Sequence, residues 1–130
     1  MSTEMTIITN NPLVYRSEYI AIEKIFVEST NIEGVLLAVR DLIHKGHRLI
    51  THPLSGSLKP NENPYKSIIV SRKSSGIVFD HLIMIEKGIE STYTFFRGKN
   101  MRKYCDGTKH DFMVVDKLII ESRLNSNGGV

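Results

Sequence analysis

The stretch Thr30-Asn31-Ile32-Glu33-Gly34-Val35-Leu36-Leu37-Ala38-Val39-Arg40-Asp41-Leu42-Ile43-His44-Lys45-Gly46-His47-Arg48-Leu49-Ile50-Thr51 decides the fold class. Ile32, Val35, Leu36, Val39, Leu42 and Ile43 recur at steps of three and four, which is one face of an α-helix. Thr30-x-x-Glu33 fits a capping box, and Gly46 supplies the left-handed stop common after a helix end, so the spacing predicts a helix over residues 31–45. Residues 47–51 then read as a short strand, Arg48-Leu49-Ile50, entered through a brief turn. A helix coupled that closely to a strand packs on a sheet, and the short connection favours a parallel layer.

Working outward, Met5-Thr6-Ile7-Ile8-Thr9 is a β-branched run stopped by Asn10-Asn11-Pro12, and residues 24–27 (Lys24-Ile25-Phe26-Val27) form a second strand signal. In residues 67–71, the continuous run Ile68-Ile69-Val70 is that of a strand buried on both faces. Residues 53–64 lack periodicity and are rich in Pro, Gly, Ser and Asn, so they read as a long loop, whereas residues 13–22 favour no single assignment. A helix is predicted after Asp80, with Leu82, Ile85, Ile89, Tyr93 and Phe96 on its apolar face, Gly88 at a close packing contact and Gly98 as its stop. A third helix is predicted over residues 109–123, burying Phe112, Val115, Leu118 and Ile119, with a fraying tail over 125–130. The expected fold is therefore a single α/β domain over residues 1–124, with a sheet of about four strands, mostly parallel, and about three helices packed on it.

Composition agrees with one ordinary domain. The 130 residues include 17 Lys plus Arg against 14 Asp plus Glu, a net charge of +3, and 41% are hydrophobic, enough for one core without staples. No apolar run approaches the ~20 residues that span a bilayer, and the Met-Ser-Thr-Glu start has neither a basic nor an apolar leader segment. The expectation is a cytoplasmic protein with no membrane partner. Cys105 is the single cysteine, so no internal disulfide and no Cys-x-x-Cys site exists. Arg97, Lys99, Arg102, Lys103 and Lys109 lie near Phe95, Phe96 and Tyr104, which superficially suggests a single-strand binder. Cations gathered around a helix end explain the pattern better, and without an RNP-like or helix-turn-helix signature no nucleic acid is expected.

Chemistry is concentrated in two echoing turns. Ile8-Thr9-Asn10-Asn11-Pro12-Leu13 and Ile50-Thr51-His52-Pro53-Leu54 share Ile-Thr, one or two polar residues and Pro-Leu, each after a predicted strand. If those strands are parallel neighbours, both turns lie at the carboxyl edge where open α/β sheets bind ligands. Read as plain turn chemistry, Thr and Asn bond their own backbone and Pro fixes the exit. The following Ser55-Gly56-Ser57-Leu58-Lys59-Pro60-Asn61 offers hydroxyls, a close backbone approach at Gly56 and a cation, which suits a phosphate or carboxylate. It is neither a Walker A loop nor a dinucleotide-binding glycine turn, so nucleotide hydrolysis is excluded and no cofactor is expected.

His44, His47 and His52 invite a metal, but His44 falls at the helix end and a strand of about 16 Å separates His47 from His52, so no metal site is expected. His52 remains the candidate general acid or base. Asp80-His81 reads as an N-cap followed by a surface histidine, and Cys105 as an incidental thiol in a turn.

The run from Val39-Arg40-Asp41-Leu42-Ile43-His44-Lys45-Gly46-His47 through Thr51-His52-Pro53-Leu54-Ser55-Gly56-Ser57 to Pro64-Tyr65-Lys66-Ser67-Ile68-Ile69 resembles the GrdX family, as do Ile7-Ile8-Thr9-Asn10-Asn11-Pro12 and Leu82-Ile83-Met84-Ile85-Glu86. The resemblance implies an accessory protein encoded beside the components of glycine, sarcosine or betaine reductase in amino-acid-fermenting anaerobes. It carries no defined activity and no catalytic set. The leading expectation is thus a protein that binds a partner, such as reductase components, or a small anionic ligand through Asn10, Asn11, His52, Ser55, Gly56, Ser57 and Lys59. The rival is an enzyme for a small carboxylate or phosphorylated substrate with His52 as general acid or base. The apolar faces of the later helices leave a homodimer open.

Overall fold

A computed structural model describes residues 4–18, 20–53, 63–96 and 103–128, with side chains described up to residue 94 in the third long segment and up to 125 in the last. In chain order the elements are β1 (Met5–Thr9), α1 (Pro12–Tyr15), β2 (Glu23–Phe26), α2 (Ile32–His44), β3 (Ser67–Ser71), α3 (Phe79–Phe96) and α4 (Asp106–Gly128). The three strands form one sheet in the order β2-β1-β3, with β1 parallel to β2 and antiparallel to β3.

Side-chain alternation along the strands divides the core in two. On one face Ile8, Ile68 and Val70 meet Val35, Leu36, Val39 and Ile43 of α2 and Ile85 and Ile89 of α3. On the other, Ile7 and Ile69 meet Val14, Ile20 and Ile120 of α4. Ile7, Ile8, Ile68, Ile69 and Val70 are all fully buried, as the continuous apolar runs of β1 and β3 require of a sheet covered on both sides.

α2 matches its prediction to within a residue at each end. Its cap is Asn31 rather than Thr30: the Asn31 carboxamide accepts the Glu33 N–H at 2.9 Å, one residue later than a capping box would place it. At the other end Gly46 adopts φ +99°, and the N–H groups of Gly46 and His47 donate to Ile43 and Leu42. That pairing closes the helix as a Schellman motif, and only glycine enters the left-handed region there without strain.

The expectation of about four mostly parallel strands is corrected to three in a mixed sheet. The segment around Leu49 makes one antiparallel bridge to Val70, because Thr51 spends its side chain accepting the Ile69 N–H at 3.0 Å instead of extending the ladder. This segment therefore runs beside β3, not beside β1. The buried faces of the later helices also shift. Tyr93 is 65% exposed while Thr92 is fully buried, bonding the Gly88 carbonyl at 2.9 Å. On α4 Val115 and Leu118 face outward, and Asp116, Ile120 and the half-buried Met113 and Leu124 turn inward. α4 starts three residues before its predicted start and runs to Gly128, so residues 125–128, expected as part of a fraying tail, belong to its last turn. Among the described residues no helix is long and apolar enough to cross a membrane.

Candidate functional site

Parallel β1 and β2 end at the same edge of the sheet, and β3, being antiparallel, begins there. Three connections converge on this edge: residues 10–12 after β1, 28–31 after β2 and 63–66 before β3, with the first turn of α4 alongside. They enclose an open cleft of about 570 Å³ lined by Asn10, Pro12, Phe26, Glu28, Ser29, Thr30, Pro64, Tyr65 and Lys109.

The floor is built by the two asparagines. Asn10 is 2% exposed. Its Nδ2 donates to the carbonyls of Pro64 (2.8 Å), Ser29 (3.2 Å) and Asn31 (3.3 Å), and its Oδ1 accepts the Lys66 N–H at 2.9 Å. One side chain thus ties the approach to β3 to the turn before α2. Asn11, fully buried, caps α1 by accepting the Leu13 N–H at 3.0 Å and reaches α4 through Nδ2, which donates to the Met113 carbonyl (2.8 Å) and Asp116 Oδ2 (3.0 Å). The polar groups of both amides are committed to the scaffold, so the asparagines expected as ligand contacts serve to hold the walls together.

Beneath them lies a buried polar chain. Ser67 Oγ donates to Asp116 Oδ2 at 2.8 Å, which leaves Thr9 Oγ1 as the donor across its 2.8 Å contact with Ser67 Oγ. Thr9 Oγ1 also accepts the Asn11 N–H at 3.0 Å. Burial raises the Asp116 carboxyl above the ordinary range, while hydrogen bonds from Asn11 and Ser67 and the charge of Lys66 pull it back. Lys66, 7% exposed, is lowered to about 8 by burial, with Asp116 opposing the shift and Arg123 adding to it.

On the rim, Phe26 is 40% exposed and packs against Tyr15 with ring centroids 5.3 Å apart. The Tyr65 phenol is held above its ordinary value by burial and then by the charge of Asp106, so it remains a donor at neutral pH. Thr30 and Lys109 are exposed, Lys109 lying in the first turn of α4 rather than at a helix carboxyl end. Glu28 and Lys109 bring opposite charges to the cleft from different elements. The arrangement can orient a small polar guest by one cation and two hydroxyls against aromatic walls, with the positive ends of α2 and α4 nearby.

Of the other expected site residues, His52 alone is among those described. His52 is exposed, beyond β3 from the cleft, and is not among the described residues that line it. The segment that ends in Thr51 runs antiparallel to β3 and so in the same direction as β1: both echoing turns leave the sheet at the same end, with β3 between them. Ser55, Gly56, Ser57 and Lys59 lie outside the described residues. His47 Nδ1 is 2.8 Å from the Ser71 carbonyl, and His81, expected at the surface, is half-buried and accepts the Leu49 N–H through Nδ1 at 3.1 Å. Asp80 is inside the first turn of α3 and not its cap. Among the described residues no group of three or more His, Cys, Asp or Glu could hold a metal ion. The exposed Cys105 lies 3.3 Å from Thr108 Oγ1, and that hydrogen bond lowers its thiol pKa.

Sequence reading missed Glu28, Thr30, Tyr65, Lys66, Ser67, Lys109 and Asp116. A signal existed for one of them: Asp116 has apolar Met113 three positions before it and Ile120 four after, so an acid stands in an otherwise apolar helical stripe.

The comparisons with known proteins agree with the fold-wide resemblance. A family model described as GrdX-like protein matches residues 6–125. The chain belongs to the GrdX-like family. That match spans every strand, the cleft and most of α4. No curated protein and no solved structure matches the chain.

Proposed function

We propose that this GrdX-like protein is an accessory protein of a glycine, sarcosine or betaine reductase system, and that it acts by holding a small anionic ligand in the cleft at the carboxyl edge of β1 and β2. The observation that carries the ligand reading is the cleft itself, with Lys109, Thr30 and Tyr65 facing a volume of about 570 Å³ over a fixed floor. The link to the reductase rests on family membership. The anionic end of the ligand belongs against Lys109 and the α4 first turn, away from Glu28. The reading puts the ligand on the rim residues, with Asn10 and Asn11 as its support.

Calorimetric titration with glycine, sarcosine, betaine, acetate and acetyl phosphate tests the ligand. At least one should bind, and Lys109→Ala should weaken it about fivefold, the worth of ~1 kcal/mol from one well-placed charge. A panel that gives no heat, or affinity indifferent to both Lys109→Ala and Tyr65→Phe, would remove the cleft from consideration. Co-purification with defined reductase components tests the accessory role separately, and absence of any complex would remove that part.

A further inference from the structure

At the opposite edge of the sheet the chain builds a second surface. The end of α2 and the segment after it, 44–48, lie against the turn after β3, 71–76. Arg48 N–H donates to Ser71 Oγ (2.8 Å), Arg48 Nε to Ser75 Oγ (3.2 Å), Ser75 N–H to the Gly46 carbonyl (3.1 Å), and Ser74 Oγ to the Lys45 carbonyl. Gly46 and Gly76 both take positive φ, and a Cβ on Gly46 would come within 2.5 Å of Ser74 Oγ. The corner is therefore a fixed platform and not two loose turns.

Its charge has one sign. His44, Lys45, Arg48 and Lys73 are exposed there, with His47 half-buried among them. No acidic residue occurs between His44 and Thr51 or between Lys66 and Phe79. Arg72 is paired with Glu23 at 3.0 Å, whereas none of the described ion pairs engages Lys45, Arg48 or Lys73. The acids that border the corner are Asp41, one turn back on α2, Asp80 in the first turn of α3, Glu23, and Glu4, whose carbonyl accepts the Arg72 N–H at 2.9 Å.

Apolar surface follows the basic platform along the chain. Beyond Gly76, Ile77 (51% exposed), Phe79 (76%) and Ile83 (51%) stand uncovered, and the Leu49 N–H to His81 bond holds the start of α3 beside Arg48. A helix end attracts a basic residue or two, but it does not account for Arg48 and Lys73 or for the exposed apolar groups that follow them in the chain. Ile77 and Ile83 give a base nothing to stack on and the single ring of Phe79 makes no stacking track, whereas all three suit a protein segment that pairs acids with leucine-like residues.

We infer that the corner formed by residues 44–48 and 71–76, together with Ile77, Phe79 and Ile83, is a docking surface for an acidic, leucine-containing segment of a partner protein. This surface is independent of the cleft and of any ligand there. Charge steers the segment to Lys45, Arg48 and Lys73, and burial of Phe79 and Ile83 holds it.

The test uses a fluorescein-labelled peptide of Glu-Glu-Leu repeats, read by anisotropy at low and at physiological salt, with a single-stranded DNA oligonucleotide of equal charge as comparison. The peptide should bind, and the triple variant K45E/R48E/K73E should lose roughly tenfold or more in affinity. F79S/I83S should weaken binding at both salt concentrations, since apolar burial is not screened. Far-ultraviolet circular dichroism confirms that each variant is folded, and all changed side chains are exposed. Peptide affinity unchanged in both variants overturns the proposal. DNA binding tighter than peptide binding overturns it in favour of a nucleic-acid surface, and equal affinity for an all-Glu peptide overturns the role given to Phe79 and Ile83.

Discussion

Replacing Asp116 by alanine should remove a large part of the stability of this domain. The carboxylate is 4% exposed and accepts from Asn11 Nδ2 at 3.0 Å and Ser67 Oγ at 2.8 Å, with the buried Lys66 ammonium close enough to share its field. Removing it takes the shared acceptor from Asn11 Nδ2 and Ser67 Oγ and a favourable negative charge from the field at Lys66, and each hydrogen bond to a charged group contributes about 1.5–3 kcal/mol. Part of this is recoverable. Asn11 keeps its 2.8 Å bond to the Met113 carbonyl, and Ser67 can turn its hydroxyl toward Thr9. Lys66, whose pKa lies at about 8, can shed its proton for little free energy near neutral pH. The expected loss is therefore at the lower end, about 3 kcal/mol, against a total of roughly 5–15 kcal/mol for a domain of this kind. Urea unfolding followed at 222 nm should show the midpoint fall with the slope unchanged, and melting should drop by about 10 °C. A loss below about 0.5 kcal/mol would refute the account of Asp116 as the hub that fastens α4 to the sheet.

Lys66→Met should change how stability depends on pH. The folded-state pKa of Lys66 is about 8, below its ordinary 10.5, so between these values the unfolded chain binds the extra proton and stability rises with pH. The contribution is fully present above pH 10.5 and is lost as pH falls through 8, with a span of roughly 3 kcal/mol. The wild-type minus Lys66→Met difference, measured by urea titration from pH 7 to about 10.5, should carry that rise, and a flat difference would contradict it. A third test concerns Gly34, where a Cβ would overlap Ser29 Oγ and lie 2.5 Å from Ser29 Cβ. Gly34→Ala should therefore destabilise α2 despite a helix-propensity gain of about 1 kcal/mol. Adding Ser29→Ala should not restore stability, because the Cβ overlap persists and the Ser29 Oγ to Asn31 carbonyl bond of 2.7 Å is lost. Ser29→Gly in its place should recover at least part of the loss in thermal melts.

Much of the architecture was legible because local pattern and burial coincide there. The residues of β1 and β3 and the face of α2 alternate or recur with the period of their elements, and each apolar position has a core to enter. Legibility failed where a polar group is buried. On α4 the apolar residues Val115 and Leu118 mark one stripe, but the helix is rolled so that Asp116 enters the sheet with Ile120, since Asn11 and Ser67 supply hydrogen bonds that no neighbour in sequence foretells. The same reason hid the true work of Asn10, whose four partners come from residues 29, 31, 64 and 66.

By itself the sequence determined the α/β class, the extents of β1 and β3, the glycine-closed end of α2 and the family to which the chain belongs. These follow from periodicity, from the left-handed freedom of glycine and from long matched motifs, all of which are local properties of the chain. Strand order, the antiparallel entry of β3, the roll of α4 and the cleft over Asn10 were decided only by the tertiary structure. They depend on which buried polar groups find partners far along the chain, as Thr9 finds Ser67 and Asn11 finds Asp116 (58 and 105 residues apart). An unpaired polar group in the core costs about as much as a buried leucine contributes, so such partnerships override the apolar pattern wherever the two disagree.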